Sequence, residues 1–325
     1  MERYLENIDF GLGCNTLGGA LWATLSFYGI QYPRSSVMGL SSLAFRLNMT
    51  PDCSPCCQTI FDLESWLANV SPLLGLHFEL DVLTAGNEFD KMRRETATAI
   101  DKNLQSGNPV IFFDPLVYEW CLINGYSGDT DEYYLTATDG ESTITGAELW
   151  DRENSPMLWF IFPRKGGKIP EDSFIQALNL SLTHFRSETP DRYFREAGYA
   201  FGESAWDLWI SSLKKGKVNE YGLGTNLRLV RSAREDARNF LLFLSENLPE
   251  FKSGFIGTAI TCLRNTGESI SRIEDLFVTS AWTDDCVKTD DPRLPKTLEW
   301  LEQALEHEKQ TFDQLEKYLS SQVKE

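Results

Sequence analysis

The residues best suited to chemistry lie early in the chain and again near its middle. Cys14 stands in a run of small residues, Gly11-Leu12-Gly13-Cys14-Asn15-Thr16-Leu17-Gly18-Gly19, which reads as a turn opening a buried helix over 16–28 with Gly29 as its stop. A thiol at a helix N-terminus meets the positive end of the helix dipole, which favours the nucleophilic thiolate. Much later, Glu119 and Trp120 precede the strand-like Cys121-Leu122-Ile123-Asn124-Gly125-Tyr126, and Thr138-Asp139-Gly140 ends the next such run. These runs offer a thiol and two carboxylates, Cys14, Glu119 and Asp139, with the polar or aromatic Asn15, Thr16 and Trp120 beside them. Were the thiol and both carboxylates to share one dry cleft, repulsion and desolvation would oppose their ionisation, and the site would bind rather than attack.

Two other motifs lead nowhere chemically. The glycine run resembles a dinucleotide fingerprint, but its third glycine comes two residues late, the preceding Glu6-Asn7-Ile8-Asp9-Phe10 is too polar for a buried parallel strand, and no βαβ unit follows. Cys53-Ser54-Pro55-Cys56-Cys57 has a C-x-x-C spacing, yet zinc needs four ligands and no second pair exists, with His77 the only nearby histidine. Free thiols in a loop are the better reading. No metal and no cofactor is expected.

These residues need elements to hold them. Five runs read as strands, at 76–83, 109–113, 118–126, 132–137 and 157–162, and 89–105 reads as a helix stopped by Gly107-Asn108-Pro109. Arg164-Lys165-Gly166-Gly167-Lys168-Ile169-Pro170 is a linker by composition. Beyond it every long run has the helical period: one beginning at Asp172 or Ser173, then 200–214, 227–247, 254–277 and 297–319. Two domains are predicted, an α+β domain over 1–165 and an all-helical one over 170–325, with Trp206 and Trp209 in the core of the second.

Composition sets the outer bounds. A chain of 325 residues and 37.0 kDa exceeds what one core usually holds, and 42 % hydrophobic with 12 % aromatic residues excludes global disorder. Thirty basic against 48 acidic residues give a net charge of −18, which repels nucleic-acid backbones and anionic membrane surfaces, so neither is an expected partner. Residues 11–30 carry no charge, but their glycines and Asn15, Thr16, Thr24 and Ser26 favour a buried helix over a membrane span. The N-terminus lacks the basic and apolar regions of a secretory signal, and seven scattered cysteines suit reduced thiols, so the expected compartment is the cytoplasm.

The order of elements, a small-residue turn with a thiol, a buried helix ending in Phe27-Tyr28-Gly29, and strands carrying Gly125-Tyr126 and Asp139, resembles the papain-like cysteine peptidase superfamily. The nearest branch holds the bacteriocin-processing peptidases and the N-terminal domain of butirosin-biosynthesis protein H, an acyltransferase family. Gly39-Leu40-Ser41-Ser42-Leu43-Ala44-Phe45-Arg46 is similar to that family's Ser-Gly-x-Ala-Phe-Arg stretch, Ser106-Gly107-Asn108-Pro109-Val110-Ile111 to its Gly-x-Pro-Val strand, and Gly202-Glu203-Ser204-Ala205-Trp206-Asp207-Leu208-Trp209 to the Gly-x-x-Ala-Tyr-x-x-Trp element of relatives. The resemblance implies a central helix on an antiparallel twisted sheet, a Cys nucleophile at the helix N-terminus, a His base on a strand and a third group orienting it. Here the place of the His, six residues before Gly125, is Glu119; the place of the Cys, thirteen before Gly29, is Thr16, with Cys14 two places early; the oxyanion Gln is missing; Asp139 keeps the orienting place. The resemblance thus implies a degenerate site with Cys14, Glu119 and Asp139 as candidate catalytic residues and Asn15, Thr16 and Trp120 as candidate ligand-binding ones, in a pseudoenzyme holding a small-molecule or peptide ligand, either peptide-like or acylated. The alternative is an active Cys14-dependent acyltransferase, amidase or peptidase with Glu119 or His77 as base, for which an acyl-carrier protein is a candidate partner.

Overall fold

The computed structural model describes residues 2–6, 8–11, 13–59, 61–114, 119–151, 157–186, 194, 196–277 and 285–322. Tyr118, expected to begin a strand, lies outside them, as does Leu12 of the glycine-rich turn. The chain is a mixed α and β protein of two compact units, one made of 1–37 with 67–170 and the other of 38–66 with 171–325. This differs from a contiguous first domain over 1–165: residues 38–66 belong with the helices.

The first unit is built on an antiparallel sheet. Its strands are β1 (Glu2–Tyr4), β3 (Leu76–Thr84), β4 (Val110–Asp114), β5 (Glu119–Ser127), β6 (Glu132–Ala137), β7 (Gly140–Thr145) and β8 (Met157–Lys165), in the order β3-β8-β4-β5-β6-β7 with β1 also paired to β5. Every pairing is antiparallel, which excludes a doubly wound parallel sheet. Alternation along the strands sorts their side chains into two faces. One carries Leu83, Val110, Phe112, Cys121, Ile123, Leu158 and Phe160, which pack with Ile100 and Leu104 of the Phe89–Gln105 helix.

The Thr16–Phe27 helix packs on β5. Its charge-free sequence follows from burial: Leu17, Ala20, Leu21, Ala23, Thr24 and Leu25 are all enclosed, and Gly19 makes room for the Phe10 ring, which a Cβ there would meet at 2.6 Å. Twelve residues span roughly 18 Å, well short of the ~30 Å hydrocarbon core of a bilayer. Among the described residues no helix is long and apolar enough to cross a membrane.

Among the described residues the second unit is mainly helical, with a two-residue strand pair, Asn48–Met49 (β2) with Ala200–Phe201 (β9), and an isolated bridge between Asn219 and Cys286. Its helices are Ser173–Phe185, Glu203–Lys214, Glu220–Asn247, Gly254–Glu274 and Leu294–Gln322, the last three packing side by side. Trp206 and Trp209 are fully buried and stacked, their centroids 5.8 Å apart. At its centre Arg234 meets Glu308 at 2.5 Å, with 1 % and 0 % of the side chains exposed. The same guanidinium donates to Ala44 O and Arg46 O at 3.0 and 3.1 Å, and Phe45 packs edge-on against Phe240 and Phe312. These contacts are why 38–66 belongs to this unit. Gly39 presses against the Phe240 ring where a Cβ would overlap it.

Candidate functional site

The candidate residues gather at one end of the sheet, where β5 begins. Asn15 is the N-cap of the Thr16–Phe27 helix, its side-chain oxygen accepting the Gly18 N–H at 2.8 Å, so that oxygen is committed to the helix. One residue on, Thr16 Oγ1 accepts the Trp120 N–H at 3.0 Å. This bond joins the first turn of the helix to the start of β5, across 104 positions of sequence. Arg34 donates to Asn15 O at 3.1 Å, and its guanidinium lies against Gly13 so closely that any side chain there would displace it.

Cys14 is exposed in the turn just before the cap. Glu119 is exposed as the first residue of β5. Asp139 is exposed in the two-residue turn that joins β6 to β7. β5 and β6 pair as far as Leu122↔Thr136. Cys14, Glu119 and Asp139 therefore do not share a dry cleft, and the argument from mutual desolvation loses its premise. Among the described residues no three His, Cys, Asp or Glu side chains come together to hold a metal ion.

Trp120 is 5 % exposed, and its ring packs edge-on against Phe113 at 5.4 Å. Phe113 in turn meets Trp159 at 5.4 Å and 89°. The registers Val82↔Trp159 and Phe113↔Trp120 extend this into a row across β3, β8, β4 and β5, on the face opposite the Phe89–Gln105 helix. Phe113 and Trp159 are half-buried, and Val82 is 36 % exposed. No reading of the sequence singled out this row, because Val82, Phe113 and Trp159 become neighbours only through strand pairing.

The histidines lie elsewhere. His77 is near the other end of β3, in register with Arg164, five residues along the strand from Val82. That is about 17 Å along the strands and, with three strand spacings to β5, about 14 Å across. It cannot serve Cys14 as a base. His184 is buried in the helical unit, with Nε2 3.1 Å from Leu47 N, and His307 lies on the Leu294–Gln322 helix.

The Cys53-x-x-Cys56-Cys57 loop is also in the helical unit, where Cys53 and Cys57 are buried in its core. Cys57 Sγ lies 3.1 Å from Thr50 Oγ1, and Asn226 donates to Ser54 O at 2.8 Å. Burial pushes the Cys57 thiol up to about 11 and raises Cys53 and Cys56 as well, so these are protonated structural thiols. Compared with known proteins, the chain matches no family model and no curated sequence.

Proposed function

We propose that the sheet-bearing unit is a papain-like domain with a degenerate catalytic set, which binds a peptide-like or acylated small molecule where the Thr16–Phe27 helix meets β5. The observation that carries this reading is the Thr16 Oγ1 to Trp120 N–H bond, which brings a helix N-terminus to the start of a strand as the superfamily's nucleophile and base require. At those two places stand Thr16 and Glu119. A hydroxyl needs a base to become a nucleophile, and His77, the one histidine of this unit, lies far along β3 from it. Groups arranged for contact without an activated nucleophile suit binding.

Two measurements test it. Incubation with peptide amides and with acyl thioesters of a carrier-protein mimic should give no turnover above background for the protein or for Cys14→Ser. Turnover that disappears in a folded Cys14→Ser variant overturns the reading in favour of a Cys14-dependent acyltransferase or amidase. That second reading has one observation behind it, the exposure of Cys14 beside the helix cap. A thiolate-selective alkylating reagent separates the two near neutral pH: Cys14 should react no faster than Cys286, which is also exposed, whereas labelling of Cys14 well ahead of Cys286 signals an activated thiol.

A further inference from the structure

Lys168 is placed for chemistry done to this chain rather than by it. It follows the end of β8 in Gly166-Gly167-Lys168-Ile169-Pro170, where Gly167, Lys168 and Pro170 are exposed. From Gly167 to Glu171 no backbone hydrogen bond is made to any described residue, and only Ile169 leans inward, against Gly75. An endopeptidase has to draw several residues into an extended conformation in its cleft, so exposed segments free of backbone bonds are cut first. The other described lysines are held. Those at 91, 102, 214, 296, 309 and 317 lie within helices, and Lys165 lies in β8. Lys215 and Lys217 both donate a backbone N–H to Ser212 O, Lys252 donates to Pro249 O, and Lys288 O accepts the Asp291 N–H.

What a cut would leave follows from the path of the chain. Residues 38–66 precede Lys168 in sequence yet belong to the same unit as 171–325. Arg234 donates to Ala44 O and Arg46 O, Asn48–Met49 pairs with Ala200–Phe201, and Asn226 donates to Ser54 O. Phe45, Leu47, Met49, Cys53 and Cys57 are buried there as well. None of these contacts passes through residues 166–170, so they survive hydrolysis of that segment.

We propose that Lys168–Ile169 is a substrate site for a lysine-directed endopeptidase, and that the product is a two-chain protein, 1–168 with 169–325, held together by residues 38–66. One water adds across the amide: its oxygen goes to the Lys168 carbonyl carbon and the C–N bond breaks, leaving a Lys168 carboxylate and an Ile169 ammonium. Neither the cut nor the assembly depends on what the sheet end binds.

Brief digestion of the full chain with a lysine-specific endopeptidase tests it. Mass spectrometry should find 1–168 and 169–325 as the first products, and the two should elute together from a gel-filtration column in buffer and apart in urea. Pieces joined only non-covalently unfold in a bimolecular step, so the urea midpoint of the cut protein should rise with its concentration while that of the intact chain does not. Lys168→Gln, an exposed exchange, should slow the first cut at least about ten-fold. Phe45→Ala, or the milder Phe45→Leu should the first not fold, should make the cut pieces part at dilutions where the native pieces stay joined. A first cut at any other lysine overturns the site, as does cleavage of the native chain no faster than its global unfolding. Native pieces that part in buffer overturn the assembly, and variant pieces joined as firmly as the native ones overturn the role of 38–66.

Discussion

Charged and polar side chains are used in opposite ways in the two units. In the helical unit Arg234 and Glu308 are withdrawn from water, and Arg234 is tied to two backbone carbonyls as well as to the carboxylate. In the sheet-bearing unit Glu119, Asp139 and Cys14 are exposed. Desolvating the pair is costly and Arg234 only partly offsets it for Glu308, but the bonds of its guanidinium to Ala44 O and Arg46 O fix the 44–46 backbone in this unit. Exposed groups carry no such desolvation cost. The same residue types thus hold a fold together in one place and are disposed toward solvent in the other.

The largest expected effect comes from breaking the buried pair. Arg234→Met removes the donor to Ala44 O and Arg46 O and strands a buried carboxyl, and should cost about 3–5 kcal/mol in urea unfolding. Glu308→Gln should cost much less, because burial outweighs Arg234 and raises the Glu308 carboxyl above its ordinary value. The sign of the pH dependence follows. The folded state holds this proton more tightly than the unfolded chain, so the contribution is full below the ordinary carboxyl range and is lost as pH rises through the raised value. Urea midpoints of the native protein should therefore fall relative to those of Glu308→Gln over that window; a difference that grows the other way would mean that Arg234 dominates.

A smaller effect is expected where the Cys53 loop meets the Glu220–Asn247 helix. Gly222→Ala would drive a methyl group into the Cys53 carbonyl, a backbone atom that cannot turn aside, and should cost about 1–3 kcal/mol. It should also open Cys57 to alkylation, which the native protein resists through burial. Unchanged stability together with unreactive Cys57 would show that the loop is not held at this point.

The smallest effects belong to the sheet end. Thr16→Val removes the acceptor for Trp120 N–H and should cost about 1 kcal/mol, and Asn15→Ala, which deletes the cap, about the same. If either costs as much as Arg234→Met, the sheet end is a structural centre too, and the contrast between the two units fails.

Much of the fold was legible from local pattern. The 89–105 helix was readable to both ends because its period is strong and Gly107-Asn108-Pro109 stops it, and the buried helix from Thr16 because its small apolar residues follow a capping Asn15. The runs at 76–83, 109–113, 118–126, 132–137 and 157–162 announced five of the strands by their β-branched and aromatic residues. β7 did not: Gly-Glu-Ser-Thr-Ile-Thr is an exposed, polar edge strand with little to distinguish it from a loop. The Leu63–Leu73 helix was hidden by Pro72, which its last turn tolerates.

The sequence by itself determined element types, the glycine-bounded helix that carries Asn15 and Thr16, the acidity of the sheet-bearing half and the burial of Trp206 and Trp209, since each depends on residues close together in the chain. Tertiary structure alone decided that 38–66 joins the helices, through Arg234 and the Phe45 contacts. It alone set Thr16 against Trp120, left Glu119 and Asp139 in solvent, and aligned Val82, Trp159, Phe113 and Trp120 in one row. Those outcomes depend on strand register and on hydrogen bonds between residues far apart in sequence, where a shift of one position turns a side chain to the other face and no local pattern records which register is lower in energy.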